Sequence, residues 1–149
     1  MIEIYTDGGC WGNPGPGGWA YVILYEGEKT IGTGGDSATT NNRMELTAVI
    51  SALKKIQSLG HSQGTALSLS TDSQYVQKGI TQWIHSWLKN NWKTASKAPV
   101  KNKELWIELK DMSDRFQIKW NWVAGHSGHQ YNEECDRLVQ EEIAKIQTA

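Results

Sequence analysis

The sequence predicts an α/β domain: a five-stranded mixed sheet, three antiparallel strands and then parallel ones, flanked by helices. Two patterns point there. Near the N-terminus three strand-like segments follow one another on short connections, as an antiparallel meander requires. Later strand patterns are separated by helical apolar spacing, and a helix between strands implies a right-handed crossover to a parallel strand. The size agrees with one domain around one core, since the chain has 149 residues, 38% of them hydrophobic, and no internal repeat.

Residues 1–7 (MIEIYTD) place Ile2 and Ile4 on one face of a strand and Tyr5 on the other. Residues 8–18 (GGCWGNPGPGG) read as loop, and residues 19–25 (WAYVILY) as a second strand. Glu26-Gly27-Glu28 suits a hairpin turn into a weaker third strand over 29–35. The polar residues 37–42 end in a helix start signal. Leu46, Val49, Ile50, Leu53 and Ile56 then recur at helical spacing until Gly60.

A fourth strand over 66–72 (ALSLSTD) should run parallel to one of the first three. Two short helices are expected over 73–79 and 81–89, the second with Trp83 and Trp87 one turn apart; Asn90-Asn91-Trp92 interrupts it, and 95–102 is a lysine-bearing loop. A helix over 103–114 turns Leu105, Trp106 and Leu109 inward, and residues 117–123 (QIKWNWV) alternate as a fifth strand. After a Gly- and His-rich loop over 124–131, a closing helix over 132–146 carries Leu138, Val139, Ile143 and Ile146 as its stripe. Open sheets of this kind bind ligands beyond their strand ends.

Composition narrows the function classes. No apolar run approaches membrane-spanning length, and strand pattern at the very start leaves no place for a secretory leader. Two cysteines, Cys10 and Cys135, are too few for a disulfide framework and suit a reducing, cytoplasmic setting. Net charge is −1, but the charge is segregated. Residues 73–103 hold six lysines and no acid, whereas the remainder holds 9 Lys+Arg against 16 Asp+Glu. Such a chain can grip a polyanion with one region and cations with another; a solvated lysine face is the plainer reading.

Four acids are candidates for cation binding, and each has a structural explanation when taken alone. Asp7-Gly8 can be turn chemistry. With Asn42 as N-cap, Glu45 would complete a capping box. Asp72 can cap the next helix, and Asp136, in the first turn of the last helix, can complement its dipole. Together they read differently, because strand ends and helix starts can bring all four to one edge of the sheet. A carboxylate pair at about 4 Å costs around 4 kcal/mol at an effective dielectric of 20. Hard divalent cations, Mg²⁺ or Mn²⁺, reward the arrangement. In the Gly-flanked loop 125–129, His126 is suited to proton transfer. A zinc site from His126, His129 and a cysteine is the rival, weakened by the lack of any paired Cys-x-x-Cys.

Over essentially its whole length the chain resembles type 1 ribonuclease H of the bacterial kind. The motifs are YTDGGCWGNPGPGG, TTNNRMEL, STDSQYV, QWIHSW with NWKTA and PVKN, and WVAGHSGHQYNEECDRL. The resemblance implies a ribonuclease H-like fold in a single catalytic domain over 1–149, with a basic Trp/Lys insertion at about 81–102. It implies endonucleolytic hydrolysis of the RNA strand in RNA–DNA hybrids, with 5′-phosphate and 3′-hydroxyl ends, little sequence preference and two Mg²⁺ ions, Mn²⁺ substituting. The family's metal ligands fall on Asp7, Glu45, Asp72 and Asp136, and its mobile histidine on His126. Its hybrid contacts fall on Asn13, Asn41, Asn42 and Gln74, with Thr40 and Asn102 at a phosphate. The insertion, with Trp83, Lys89, Trp92, Lys93 and Lys97, is expected on the DNA strand. A cytoplasmic monomer needing no protein partner and no membrane follows.

The chain departs from that pattern at Ala38, where a basic residue is expected beside Thr40 and Asn102. Glu134 should add negative charge beside the site, and Leu88, Asn90 and Asn91 make the insertion less basic than in some relatives. Two rival functions are an integrase-like nuclease or strand-transfer enzyme on the same metal site, and an inactive hybrid-binding module. The Lys/Trp insertion and GHSGH loop oppose the first; the intact acids and His126 oppose the second.

Overall fold

The computed structural model describes residues 1–124 and 129–148. Its strands are β1 (Ile2–Cys10), β2 (Gly15–Tyr25), β3 (Glu28–Thr39), β4 (Ala66–Thr71) and β5 (Gln117–Trp122). They form one sheet in the order β3-β2-β1-β4-β5. β1–β2 and β2–β3 pair antiparallel, while β1–β4 and β4–β5 pair parallel. The expected meander and crossover are both present, and β4 chooses β1 as its parallel neighbour.

The Gly-rich segment departs from expectation. Most of it is strand: Gly8 pairs with Trp19, Gly9 with Gly18 and Cys10 with Gly17, leaving residues 11–14 as the connection. Glycine normally weakens a strand, so these positions need another reason. They have one in the helices above and below. A Cβ on Gly8 would stand 2.3 Å from the backbone carbonyl carbon of Met44, and one on Gly18 would stand 3.0 Å from Glu142 Cβ. The missing side chains let helices lie directly on the sheet.

Those helices are α1 (Asn41–Ser58) and α5 (Gln130–Thr148), on opposite faces. All five residues of the predicted α1 stripe are buried, with Ile2, Ile4, Leu67 and Leu69 beneath them. Across the sheet, Cys135, Val139 and Ile143 of α5 cover Ala20 and Val22. Leu138 packs on that cluster only partly buried, and Ile146 is half-buried. Alternation along β1 therefore sends Ile2, Ile4 and Thr6 toward α1 and leaves Tyr5 and Asp7 on the α5 side.

After β4 come α2 (Gln74–Lys78), a π-helical turn (Gly79–Trp83) and α3 (Ile84–Lys89), the last two opening the insertion, before α4 (Lys103–Asp114). The π turn falls where Gly79 meets Trp106 of α4, whose ring would stand 1.9 Å from a Cβ there. An aromatic chain then braces the segment: Tyr75 and Trp87 each lie 5.3 Å from Trp106, Trp83 lies 5.9 Å from Trp87, and Trp92 lies 6.0 Å from Trp87. Trp92 takes a left-handed φ of 60°, held by that contact and by its N–H donating to Trp87 O at 2.7 Å. Among the described residues no helix is long and apolar enough to cross a membrane.

Gly8→Ala must push α1 off β1, because the atom it meets is backbone. Overpacking of this kind should cost about 1–3 kcal/mol, read as a lower urea midpoint with unchanged m-value.

Candidate active site

Asp7 lies on β1, and the parallel register that pairs Tyr5 with Ser70 carries Asp7 alongside Asp72, the residue just beyond β4. Two structural explanations for the acids fall away. The N-cap of α1 is Thr40, not Asn42: its side chain accepts from Arg43 N, so Glu45 is the fifth helical residue and outside any capping box. The N-cap of α2 is Ser73, whose hydroxyl accepts from Val76 N at 3.0 Å, so Asp72 is not a cap. The setting of Asp136 is also corrected. α5 begins at Gln130, which puts Asp136 seventh, past the first turn where the dipole acts.

The acids feel one another. Burial pushes the Asp7 carboxyl up to about 8, with Asp72, Asp136 and Glu45 adding to the shift and the Gly8 N–H opposing it. Burial pushes Glu45 up to about 7, with Asp72 adding. Asp72 itself is exposed, while Asp7, Glu45 and Asp136 are half-buried. The four are within electrostatic range but not gathered onto one point: among the described residues no three His, Cys, Asp or Glu side chains form a ready-made metal site. Glu45 Oε2 accepts a hydrogen bond from Ser73 Oγ. The backbone thus brings the acids within electrostatic range of one another.

Asn13 stands in the 11–14 connection, its Oδ1 accepting from Asn41 N at 3.1 Å. Asn41 and Gln74 are exposed, and Asn42 is half-buried. Arg43 Nη1 donates to Asn102 Oδ1 at 3.1 Å and to Glu104 Oε1 at 2.6 Å, which joins the start of α1 to the end of the insertion. Asn102 Nδ2 donates in turn to Tyr75 OH at 3.1 Å. Trp83 sits edge-on to Tyr75 at 5.7 Å. Trp92 is half-buried, and Lys89, Lys93 and Lys97 are exposed. Lys93 and Lys97 line one open hollow with Asn90, Asn91, Thr94 and Ala95. His126 lies outside the described residues.

This frame matches known proteins. An RNase H family profile covers residues 1–144. The chain belongs to the RNase H family. It is an RNase H hydrolase by kinship with proteins named Ribonuclease H. One, from Treponema denticola, is 55% identical across 97% of this chain and 98% of its own length. Another, from Nitrosomonas eutropha, is 52% identical across 97% of this chain and 91% of its own. Among solved structures, LC9-RNase H1, a type 1 RNase H with the type 2 active-site motif, superposes with a TM-score of 0.84 at 32% identity. It covers 97% of this chain and 72% of that one. LC11-RNase H1, solved in complex with RNA/DNA hybrid, superposes with a TM-score of 0.77 at 28% identity, covering 99% of each chain.

Within this RNase H frame two expectations change. Glu134 is not loose charge beside the acids, because Lys29 Nζ pairs with its Oε1 at 2.8 Å. The zinc alternative loses Cys135 as a ready ligand: burial, then Asp7 and Glu134, push its thiol up to about 12, and its Sγ donates to Tyr5 O at 3.5 Å. Three residues escaped the sequence reading: Ser73, which holds Glu45; Arg43, which reaches Asn102 where Ala38 cannot; and Trp11, an aromatic in an otherwise turn-forming stretch. The last was visible as an anomaly of composition; the other two depend on tertiary neighbours.

Because the Asp7 and Glu45 carboxyls are raised, the folded chain keeps protons that the unfolded chain releases. Their contribution to stability is complete below about pH 4 and is lost as pH rises through about 7 and 8. In chelator, unfolding free energy should therefore fall across that window. Asp7→Asn should flatten the fall and make the protein more stable than its parent above about pH 8, by a few kcal/mol at most. Destabilisation by Asp7→Asn at that pH would mean that the Asp7 carboxylate supports the β1 frame; the turn reading does not fit, since Asp7 pairs with Ala20 inside β1.

Proposed function

We propose that this chain is an endonuclease that hydrolyses the RNA strand of RNA–DNA hybrids with two divalent metal ions, leaving 5′-phosphate and 3′-hydroxyl ends. The observation that carries the reading is the β1–β4 register, which sets Asp7 alongside Asp72, with Glu45 and Asp136 within electrostatic range of Asp7. The donor set fits the metal, since carboxylate oxygens suit Mg²⁺, with Mn²⁺ substituting, and burial together with repulsion makes a cation favourable there. When bound, the metals supply the charge that activates water and stabilises the leaving 3′-oxygen.

The chain's own residues do the rest. Asp7, Glu45, Asp72 and Asp136 hold the cations, which asks Glu45 to turn from Ser73 Oγ. His126 moves a proton at the attacking water or the departing product. With its Oδ1 engaged by Asn41 N, Asn13 offers its amide N–H₂ groups to the RNA strand. Asn41, Asn42 and Gln74 join it in the wide minor groove, where the 2′-hydroxyl distinguishes RNA from DNA. Thr40 and Asn102, with Arg43 beside them, seat a phosphate. Trp83, Trp92, Lys89, Lys93 and Lys97 hold the DNA backbone without reading bases, so sequence preference is weak. The enzyme works as a cytoplasmic monomer, a setting consistent with two free cysteines.

LC11-RNase H1, seen with RNA/DNA hybrid, supports the substrate class. The test offers end-labelled hybrid, duplex DNA and duplex RNA to the protein with Mg²⁺ and with EDTA. Cutting confined to the RNA of the hybrid, and abolished by EDTA or by Asp7→Asn, is expected. Cutting of duplex DNA would favour a strand-transfer or general nuclease, and binding without cutting a mere hybrid-binding module. Lys93→Ala should lower hybrid affinity and reduce the log–log salt slope by about 0.9.

A further inference from the structure

Trp11 has no part in the reaction just described, yet it stands at its edge. Its side chain is 43% exposed, among the most exposed of the large apolar residues. An indole left in water forfeits the free energy of burial. This one is nevertheless held in place. Its Nε1–H donates to Gln140 Oε1 at 2.8 Å, and its backbone N–H donates to Pro16 O at 2.8 Å. Beneath it Gly15 is pinned so closely that a Cβ would stand 2.1 Å from Trp11 O.

The anchor points say where the ring lies. Gln140 is four residues after Asp136 on α5, hence on the same helical face one turn along, about 5.4 Å. Two residues after Trp11 comes Asn13, tied to Asn41 at the start of α1. The exposed ring thus stands between a metal-ligand candidate and a minor-groove candidate. The indole carries no charge to pair with a phosphate. A neutral ring there suits the other surface a strand presents, its sugars, because paired bases have no open faces and the A-like minor groove exposes ribose.

Resting on the reading of the site as a hybrid cutter, we infer that Trp11 is a substrate contact: its ring packs against ribose of the RNA strand beside the scissile phosphate. A rigid aromatic, already fixed by Gln140, loses little entropy when it does so. The plainer role is a staple that ties the 11–14 connection to α5.

Steady-state cleavage of a labelled hybrid by the full chain separates the two. Trp11→Ala should raise KM about five- to tenfold with a smaller change in kcat, while Trp11→Phe, which keeps a ring but loses the N–H, should stay within about twofold of the parent. Gln140→Leu should fall between them. An unchanged KM in Trp11→Ala overturns the inference. So does equal damage from Trp11→Phe, Gln140→Leu and Trp11→Ala, which is the mark of a staple. If the unaltered chain leaves hybrid whole, the reading of the site fails and this inference with it; if the unaltered chain cuts and Trp11→Ala matches it, the inference alone fails.

Discussion

Carboxylates that repel one another are held in mutual range by a frame that cannot relax. Two like charges at about 4 Å cost around 4 kcal/mol at an effective dielectric of 20, a sizeable fraction of a domain's net stability. A flexible loop would spread such groups apart. Here Asp7 is paired to Ala20 of β2 and lies two residues past the last β1–β4 pair, and Glu45 and Asp136 ride on helices whose apolar faces are buried. The backbone holds the groups in place against the repulsion, and Ser73 Oγ donates to Glu45 Oε2. Glycines make this possible, since Gly8 lets α1 sit on β1 at the turn that carries Glu45.

The insertion follows a similar division of labour. Its lysines are exposed, whereas Trp87, with Tyr75 just before it, packs onto Trp106, and Trp83 and Trp92 pack onto Trp87, fixing the path of the chain. A segment with six lysines and no acids would otherwise repel itself into an extended coil. Aromatic packing holds that charge on a defined surface. The Arg43–Asn102–Tyr75 hydrogen bonds then tie the surface back to the start of α1, so the lysine-bearing surface and the helix that carries Glu45 are directly connected.

Periodicity made the fold legible. The α1 stripe, the 117–122 alternation and the helix–strand order came through because each reflects burial on one face of a regular element. Glycine misled. In 8–18 it reads as loop, since its lack of a side chain is informative only once the neighbouring helix is in view. Capping misled in the same way: Asn42 and Asp72 fit the rules, but Thr40 and Ser73 took the positions, and side-chain competition between adjacent polar residues is settled by tertiary placement. The four acids were legible as candidates because each falls near the end of an element expected from the sequence, although β1 runs on past Asp7 and α5 starts well before Asp136. Their rotamers, the bond from Ser73 and the pairing of Glu134 with Lys29 were not, as all three rest on residues distant in sequence.

The central claim is that one end of the β1–β4 pair collects divalent metal. Titrating Mn²⁺ into ¹⁵N-labelled protein and recording paramagnetic broadening of backbone amides tests it most directly. At substoichiometric metal, signals around residues 7, 45, 72 and 136 should broaden first and together, and Asp7→Asn should weaken that response. Broadening centred elsewhere, for instance on the exposed acids of α4 and α5, with those four positions left sharp, would contradict the account.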